Sequence, residues 1–382
     1  MLRGKKMAIR LWIASWNCEN QAPDDKMLDD FIVNDVKKLL PRDQPDLIVI
    51  GLQEATKNSL INGKFVSERL AKHKRLGTQY DHVNSISIKG VTKGHLNYIQ
   101  MGILQKKYSG DNPNQGRIYS IQEGSYKDSI GGKGGVFVKL VYSDNTLNID
   151  PQTIADLNNC ELSLCFINAH LDSNNNQKRD QEITELLRKC TNLDSGTDAA
   201  KIRQSLDNQF NSVFFMGDLN YRLAEGTGIS HQTTTVGKMV SLIETEQGRK
   251  TLVTLDTFCN SSLVDEKQYG FTFPSVAHLL PTYKRNYKDR TANNPCLQLA
   301  NKFAENQQNQ QNLRDLIRDC YFPGQQDSEL VKYNSKRDAF DLGWLDRIGY
   351  RNNVPLTVLE FIVKNDIVLS DHTPVILKVQ VG

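Results

Sequence analysis

Short apolar runs that break off into polar, acid–base side chains punctuate this chain, and that repeated pattern limits the fold more than any other feature. The sharpest case is VFFMGDLNYRL, from Val213 to Leu223. Aromatic and β-branched residues in VFFMG read as a strand buried on both faces. Asp218 and Asn220 follow at its C-terminal end, two residues apart and therefore on one side of the chain. Alone, such a stretch is equally an ordinary turn, because Gly, Asp and Asn are turn residues. Four further strand-like runs end the same way: IASWN at Asn17, IVIGLQE at Glu54, CFINAH at His170, and DIVLSDH at Asp371 and His372. Ends of neighbouring strands meet on one rim of a layered fold, and sites are built on such rims.

The remaining segments fit around that frame. MAIRLWIASWN (7–17), PDLIVIGLQE (45–54), YIQMGILQKKY (98–108), GGVFVKLVY (134–142) and LSLCFINAHL (162–171) read as strands. VLEFIVKND and HTPVILKVQV supply the closing strands. Met27 to Leu40 carries apolar residues at amphipathic-helix spacing, and further helices are expected at 178–190 and 235–247. There is no internal repeat. Mixed strands and helices with hairpin-like adjacencies predict an α+β layered sandwich around two packed sheets, a single domain over residues 1–382. Residues 285–340 are rich in Asn, Gln, Arg, Lys and Asp, with one amphipathic island, LRDLIRDCYF (313–322). That composition predicts a polar surface insertion and not a second core.

Charge and cysteine content narrow the class. Lys and Arg total 47 against 44 Asp and Glu, a net +3, too weak a bias to announce nucleic acid. Seven cysteines without framework spacing predict free thiols in a reducing compartment. No apolar run approaches the roughly 20 residues of a membrane span, and the N-terminal stretch has no cleavage-like site. The expectation is a cytoplasmic monomer with only peripheral membrane contact.

Hard oxygen ligands with no cysteine among them favour Mg²⁺ over Zn²⁺. Two histidines able to face a phosphoryl oxygen, with an Asp able to orient water, meet the needs of phosphoester hydrolysis.

SWN (15–17), GLQE (51–54), GGKGGVFV (131–138), FINAHL (166–171), GDLNYRL (217–223), PTYK (281–284), GWLDRI (343–348) and SDHTPV (370–375) cover most of the chain. In that order they resemble the endonuclease/exonuclease/phosphatase superfamily and, more narrowly, the inositol polyphosphate 5-phosphatases. The resemblance implies a DNase I-like four-layer α/β/β/α sandwich with two mixed sheets face to face. It also implies Mg²⁺-dependent removal of the 5-phosphate from phosphoinositides such as PI(4,5)P2 and PI(3,4,5)P3, or from soluble inositol polyphosphates. Glu54 would be the main Mg²⁺ ligand, with Asn17 and Asp371 completing or supporting its shell. Asp218 would orient and deprotonate the attacking water, and Asn220 would donate to the nucleophile or phosphate. His170 and His372 would contact the scissile phosphate, with Asp346 paired to His372 and keeping it cationic. Tyr283 and Lys284 would meet the neighbouring ring phosphate, and Lys133 would sit near the membrane-facing rim. Arg222 and Arg347 are either substrate contacts or structural ion pairs beneath the site.

The chain also departs from the family. Gly132 stands where the family has Asn before the loop lysine. DLGWL replaces a Pro-Ala-Trp-Cys run, with Leu345 in place of the cysteine. Lys336 and Arg337 are the nearest cations ahead of that run, at a larger offset than the family's phosphate-binding ones. These changes bear on ring-phosphate specificity, not on catalysis. Two other functions compete: a Mg²⁺-dependent phosphodiesterase of the same fold (nuclease or sphingomyelinase-like), and a non-catalytic phosphoinositide-binding module.

Overall fold

A computed structural model describes residues 8–21, 25–39, 43–56, 66–92, 95–107, 117–128, 132–143, 161–287, 291–304 and 312–382. Met7, Leu40, Tyr108 and Gly131, each inside an expected segment, lie outside the described residues, as do 288–290 and 305–311 of the polar tract. The strands in chain order begin with β1 (Ile9–Asn17), β2 (Leu47–Thr56), β3 (Tyr80–Thr92) and β4 (His95–Lys106). Next come β5 (Arg117–Lys127), β6 (Gly134–Ser143), β7 (Glu161–His170) and β8 (Ser212–Asp218). Two short strands, β9 (Tyr333–Asn334) and β10 (Ala339–Phe340), precede β11 (Asp346–Asn352), β12 (Leu356–Val363) and β13 (Val375–Val381).

Two mixed sheets carry the fold: a six-stranded one ordered β12-β13-β1-β2-β4-β3 and a five-stranded one ordered β11-β8-β7-β6-β5. The face between them is apolar, built from alternate residues such as Leu11 and Ile13 of β1, Phe166 of β7, and Phe214 and Met216 of β8. Helical segments Asp25–Leu28, Asp29–Val33 and Asn34–Lys37 pack Phe31, Ile32 and Val36 against Trp12 and Trp16 on the outside of the first sheet. The middle segment is a π-helical turn, so the expected single helix from Met27 is interrupted. Helices Asn176–Cys190 and Ala199–Gln209 cover the second sheet through Ile183, Leu186, Ile202 and Leu206. The order is helix, sheet, sheet, helix, as expected from the sequence. No helix among the described residues is long and apolar enough to cross a membrane.

The tract 285–340 departs from the expected surface excursion. Its described part forms helices Pro295–Ala304 and Leu313–Tyr321, which bury Cys296, Leu299, Ile317 and Cys320. They share an apolar cluster with Met239 and Val240 of the helix Val236–Glu244, and with Trp344. The tract's abundant polar residues hide the spacing of the few apolar ones, which is enough for one buried face per helix. The expected free thiols are also corrected here: Cys296 and Cys320 form a disulfide, 24 residues apart in sequence. Cys18, Cys165, Cys190 and Cys259 remain free.

Candidate active site

Strand register assembles the site. β7 and β8 run parallel with His170 opposite Asp218, while β11 runs antiparallel to β8 with Asp346 opposite Asp218. Three reactive side chains therefore stand abreast on three adjacent strands. Each continues the inward-facing alternation of its strand, beyond Phe166, Met216 and, in β11, ahead of Ile348. Gly217 makes the close approach possible: its φ is +144°, and a Cβ there would lie 1.9 Å from the Ala169 carbonyl oxygen.

The first sheet contributes Asn17 and Glu54. Asn17 continues the inward phase of β1, and its Nδ2 donates to Asp218 Oδ2 at 2.8 Å, a bond between the two sheets. By alternation Glu54 belongs with Ile50 and Leu52 on the outer face. The β2–β4 register breaks between Leu52 and Ala55, and Glu54 takes φ +48°. That left-handed residue at a bulge turns its carboxylate toward the rim, where Oε1 lies 3.8 Å from His170 Nε2.

Asp218 is the centre of the cluster. Its Oδ2 is 3.3 Å from His170 Nε2 and 3.8 Å from His372 Nε2, and its Oδ1 accepts the Asn220 backbone N–H at 3.1 Å. Burial would raise its pKa, but His372 first, then His170 and Lys133, outweigh that and hold it well below the usual carboxylate range. His372 Nδ1 lies 2.9 Å from Asp346 Oδ2. Burial works against the imidazolium, yet Asp346 and Asp218 raise His372 well above its ordinary value, so it is cationic at neutral pH. Asp371 is buried beside it, and its pKa is pushed up to about 7, chiefly by burial.

Asn220, at φ +58°, uses one amide hydrogen on the Leu171 carbonyl (2.9 Å) and accepts from Arg222 Nη2 (3.2 Å). Its second amide hydrogen is left to serve a ligand. Lys133 enters the site itself and not its outer rim: β6 begins with Gly134 opposite His170, and the Lys133 ammonium touches His170 Nε2. Burial lowers its pKa against the pull of Asp218 and Glu54. Tyr283 lies tilted on the His372 ring with centroids 4.6 Å apart, and the Arg222 guanidinium stands 4.4 Å from the tyrosine's ring centroid. Lys284, next in the chain, faces solvent.

The other candidates are dispersed. Arg347 follows Asp346 and so points to the opposite face of the sheet, where it pairs with buried Asp256 over Phe258. It is the structural ion pair and not a substrate contact. Arg222 touches Asn220 but is buried, with Asp341 3.7 Å away. Arg337 bonds Asn174 and Asp341 on the exposed β9–β10 turn, and Lys336 points outward beside it.

Two residues that sequence reasoning missed hold the arrangement. Asn168, fully buried between the sheets, accepts from Gln53 Nε2 (2.6 Å) and donates to the Leu52 and Gln100 carbonyls. An amide inside the apolar FINAH run, in phase with His170, was its signal. Thr282 Oγ1 accepts the backbone N–H groups of Leu345 (3.0 Å) and Asp346 (3.2 Å). Burial raises the Asp346 pKa, against the opposing pull of His372 and, last, of the Thr282 hydroxyl.

Among the described residues, no group of three or more His, Cys, Asp or Glu side chains is arranged to cage a metal unaided. Mg²⁺ needs no such cage, because it binds through one or two carboxylates with waters and substrate phosphate. Glu54 stands at the rim with its side chain 14% exposed, and the Asn17 amide oxygen, which accepts from Glu19 N, keeps a second lone pair. This all-oxygen pair fits a hard divalent cation.

Two mixed sheets face to face, with acids, amides and imidazoles gathered at their strand ends, define a phosphoesterase sandwich of the DNase I-like type. The chain belongs to the endonuclease/exonuclease/phosphatase family 2, whose sequence model matches residues 14–298. No curated protein matches the sequence. Among solved structures, the inositol polyphosphate 5-phosphatase domain of spsynaptojanin, in complex with inositol (1,4)-bisphosphate and calcium ion, is similar at TM-score 0.58 and 18% identity. That match covers 98% of this chain and 85% of the other. Cimex nitrophorin in a ferrous NO complex is similar at TM-score 0.53 and 15% identity, over 98% of this chain and 99% of that one. The human Nocturnin catalytic domain with bound sulfate anion reaches TM-score 0.41 at 12% identity, over 99% and 97% of the two chains. At their identities the first two likenesses speak for fold alone. A phosphatase and a nitric-oxide complex share the sandwich, so activity is argued from side chains.

Proposed function

We propose that this phosphoesterase is a Mg²⁺-dependent phosphatase that removes the 5-phosphate of inositol phosphates, lipid-linked or soluble. One observation carries the reading: Tyr283 packs on His372 at 4.6 Å, and Lys284 follows it facing solvent. A fixed aromatic and an exposed ammonium thus stand beside the reaction centre, where a second phosphate on the same ring would lie. A phosphodiester that carries no second phosphate has no group to meet them.

The residues divide the work. Glu54 and Asn17 would hold the divalent cation, which when bound supplies Lewis-acid charge to a phosphoryl oxygen. Asp218 is clamped by Asn17 on one oxygen and by the Asn220 N–H on the other. A carboxylate held so far below its usual range is a weak base, so it serves mainly to orient the attacking water and accepts its proton late. Cationic His372, with His170 and the spare Asn220 N–H, would donate to oxygens where negative charge grows. Lys284 would bind the phosphate that is not cleaved, as a point charge.

Phosphate release from a panel of phosphoinositides and soluble inositol phosphates, with and without Mg²⁺, tests the proposal against a diester and an oligonucleotide. Mg²⁺-dependent release from 5-phosphorylated substrates alone is expected. Cleavage of the diester or oligonucleotide with none of the inositol phosphates turned over would establish the phosphodiesterase, and binding without turnover the non-catalytic module.

A further inference from the structure

Residues Pro281 to Asn286 run between the catalytic loops and the inserted helices, fastened on both sides. Toward the site, Thr282 bonds the Leu345 and Asp346 backbone, and Tyr283 lies on His372. Arg285 N donates to the Asp371 carbonyl at 3.0 Å, and Arg285 Nη1 donates to Thr373 Oγ1 at 2.6 Å. Away from the site, the Tyr321 hydroxyl donates to the Pro281 carbonyl at 2.8 Å and Asn286 N donates to the Cys320 carbonyl at 2.8 Å. Arg285 Nη2 donates to the Cys296 carbonyl at 3.3 Å. Cys296 stands on one inserted helix, Cys320 and Tyr321 on the other, and the disulfide joins the two with Cα atoms 4.9 Å apart. Both ends of the segment therefore hang on one covalently closed helix pair.

We propose that this disulfide-clamped helix pair is a positioning element: it sets where Tyr283 and Lys284 stand relative to His372. The inference rests on the reading of those two residues given under Proposed function. Cys296, Cys320 and Tyr321 act through their hydrogen bonds to residues 281–286. Both cysteines are shielded from solvent, so the bridge is a standing brace and not a surface switch. Opening it requires a small dithiol to reach the sulfurs as the helices part. One S–S bond then breaks and two S–H bonds form, with the dithiol supplying two electrons and two protons and leaving as its cyclic disulfide. An unclamped segment must be ordered by the substrate itself. That ordering cost falls equally on the ground and transition states, so it appears in KM more than in kcat.

The test compares four forms of the Mg²⁺-loaded enzyme: as isolated, reduced to completion by a dithiol, Cys296→Ser/Cys320→Ser, and Tyr321→Phe. Peptide mapping after alkylation fixes the state of both cysteines, and hydrogen exchange at the Arg285, Asn286 and Thr373 amides is read without substrate. Reduction and the double substitution should each speed that exchange and raise KM for an inositol phosphate bearing the adjacent phosphate by about tenfold, with kcat within about twofold. Tyr321→Phe, which leaves the bridge intact, should do the same more weakly and keeps the test open if the double variant fails to fold. Re-oxidation with glutathione disulfide should restore the reduced enzyme. Two alkylatable thiols in the protein as isolated, unchanged exchange after verified reduction, or a loss confined to kcat would each overturn the proposal. Faster exchange with no inositol phosphate turned over by any form would retire the proposed function and leave the clamp supported.

Discussion

Asp218 and Asp346 face each other across β8 and β11, and His372 bridges them, with Nδ1 2.9 Å from Asp346 and Nε2 3.8 Å from Asp218. Two buried carboxylates at that register would repel, and the imidazolium between them is what lets both stay close. The two acids thereby take different roles. Asp346 fixes the cation, and Asp218 keeps a face toward the substrate.

Replacing Asp346 tests that division by pH. Burial alone disfavours charge on His372, and Asp346 is the largest of the forces raising its pKa. Asp346→Asn removes that force, so the imidazolium should lose its proton at a lower pH than in the native enzyme. The alkaline limb of kcat/KM should move to lower pH, with a rate loss of about 100-fold near neutrality. A profile that only drops, without moving, would show that Asp346 does not act through His372.

Asp218→Asn should keep the fold and lower turnover about a thousandfold or more, roughly 4 kcal/mol of transition-state stabilisation. The amide preserves the shape but offers one acceptor oxygen to two donors, so it keeps the bond from Asn17 Nδ2 or the one from the Asn220 N–H and loses the other. A folded variant with more than a tenth of native activity would remove Asp218 from the chemistry.

Glu54→Gln keeps the volume but loses the charge a hard cation prefers. The Mg²⁺ concentration for half-maximal activity should rise by about tenfold or more, while saturating Mg²⁺ recovers much of the rate. Superimposable Mg²⁺ titrations of variant and native protein would assign the metal elsewhere.

Lys284→Ala should raise KM more than it lowers kcat, because an uncleaved phosphate is bound alike in ground and transition states. A partly desolvated charge-assisted contact suggests a loss of about 1.5–3 kcal/mol, ten- to a hundredfold in kcat/KM. The loss should vanish for substrates lacking the adjacent ring phosphate. Equal loss on both kinds of substrate would place Lys284 on the scissile group or in folding.

Asn17, Glu54, His170 and Asp218 were legible because each closes an apolar run, as VFFMG stops at Asp218. DIVLSDH, expected to end a strand in the same way, is instead the loop between β12 and β13, and Asp346 opens β11. Two of the edge strands were not legible. β3 (YDHVNSISIKGVT) and β5 (RIYSIQEGSYK) lie at the sheet margins, half-exposed and mixed in polarity, and carry no run to notice. The helix Ala199–Gln209 buries only Ile202 and Leu206, too faint a stripe to register. Glu54 was legible as a ligand type but not in its route to the site, since a bulge and a left-handed residue break the alternation that sequence reading assumes. The disulfide was hidden because its cysteines sit in a polar tract with no framework spacing, and pairing depends on two helices meeting. Arg347 shows the opposite case: the alternation that aims Asp346 inward is sufficient to send its neighbour away.

The bond from Asn17 to Asp218 joins residues 201 positions apart and belongs to neither sheet alone. Half of the reactive rim is carried by one sheet and half by the other, and each is inert until the two faces close. Turnover is therefore an all-or-nothing reporter of sheet docking. A chain with both sheets formed but slipped by one residue would retain its circular dichroism and have no catalytic memory of the native state.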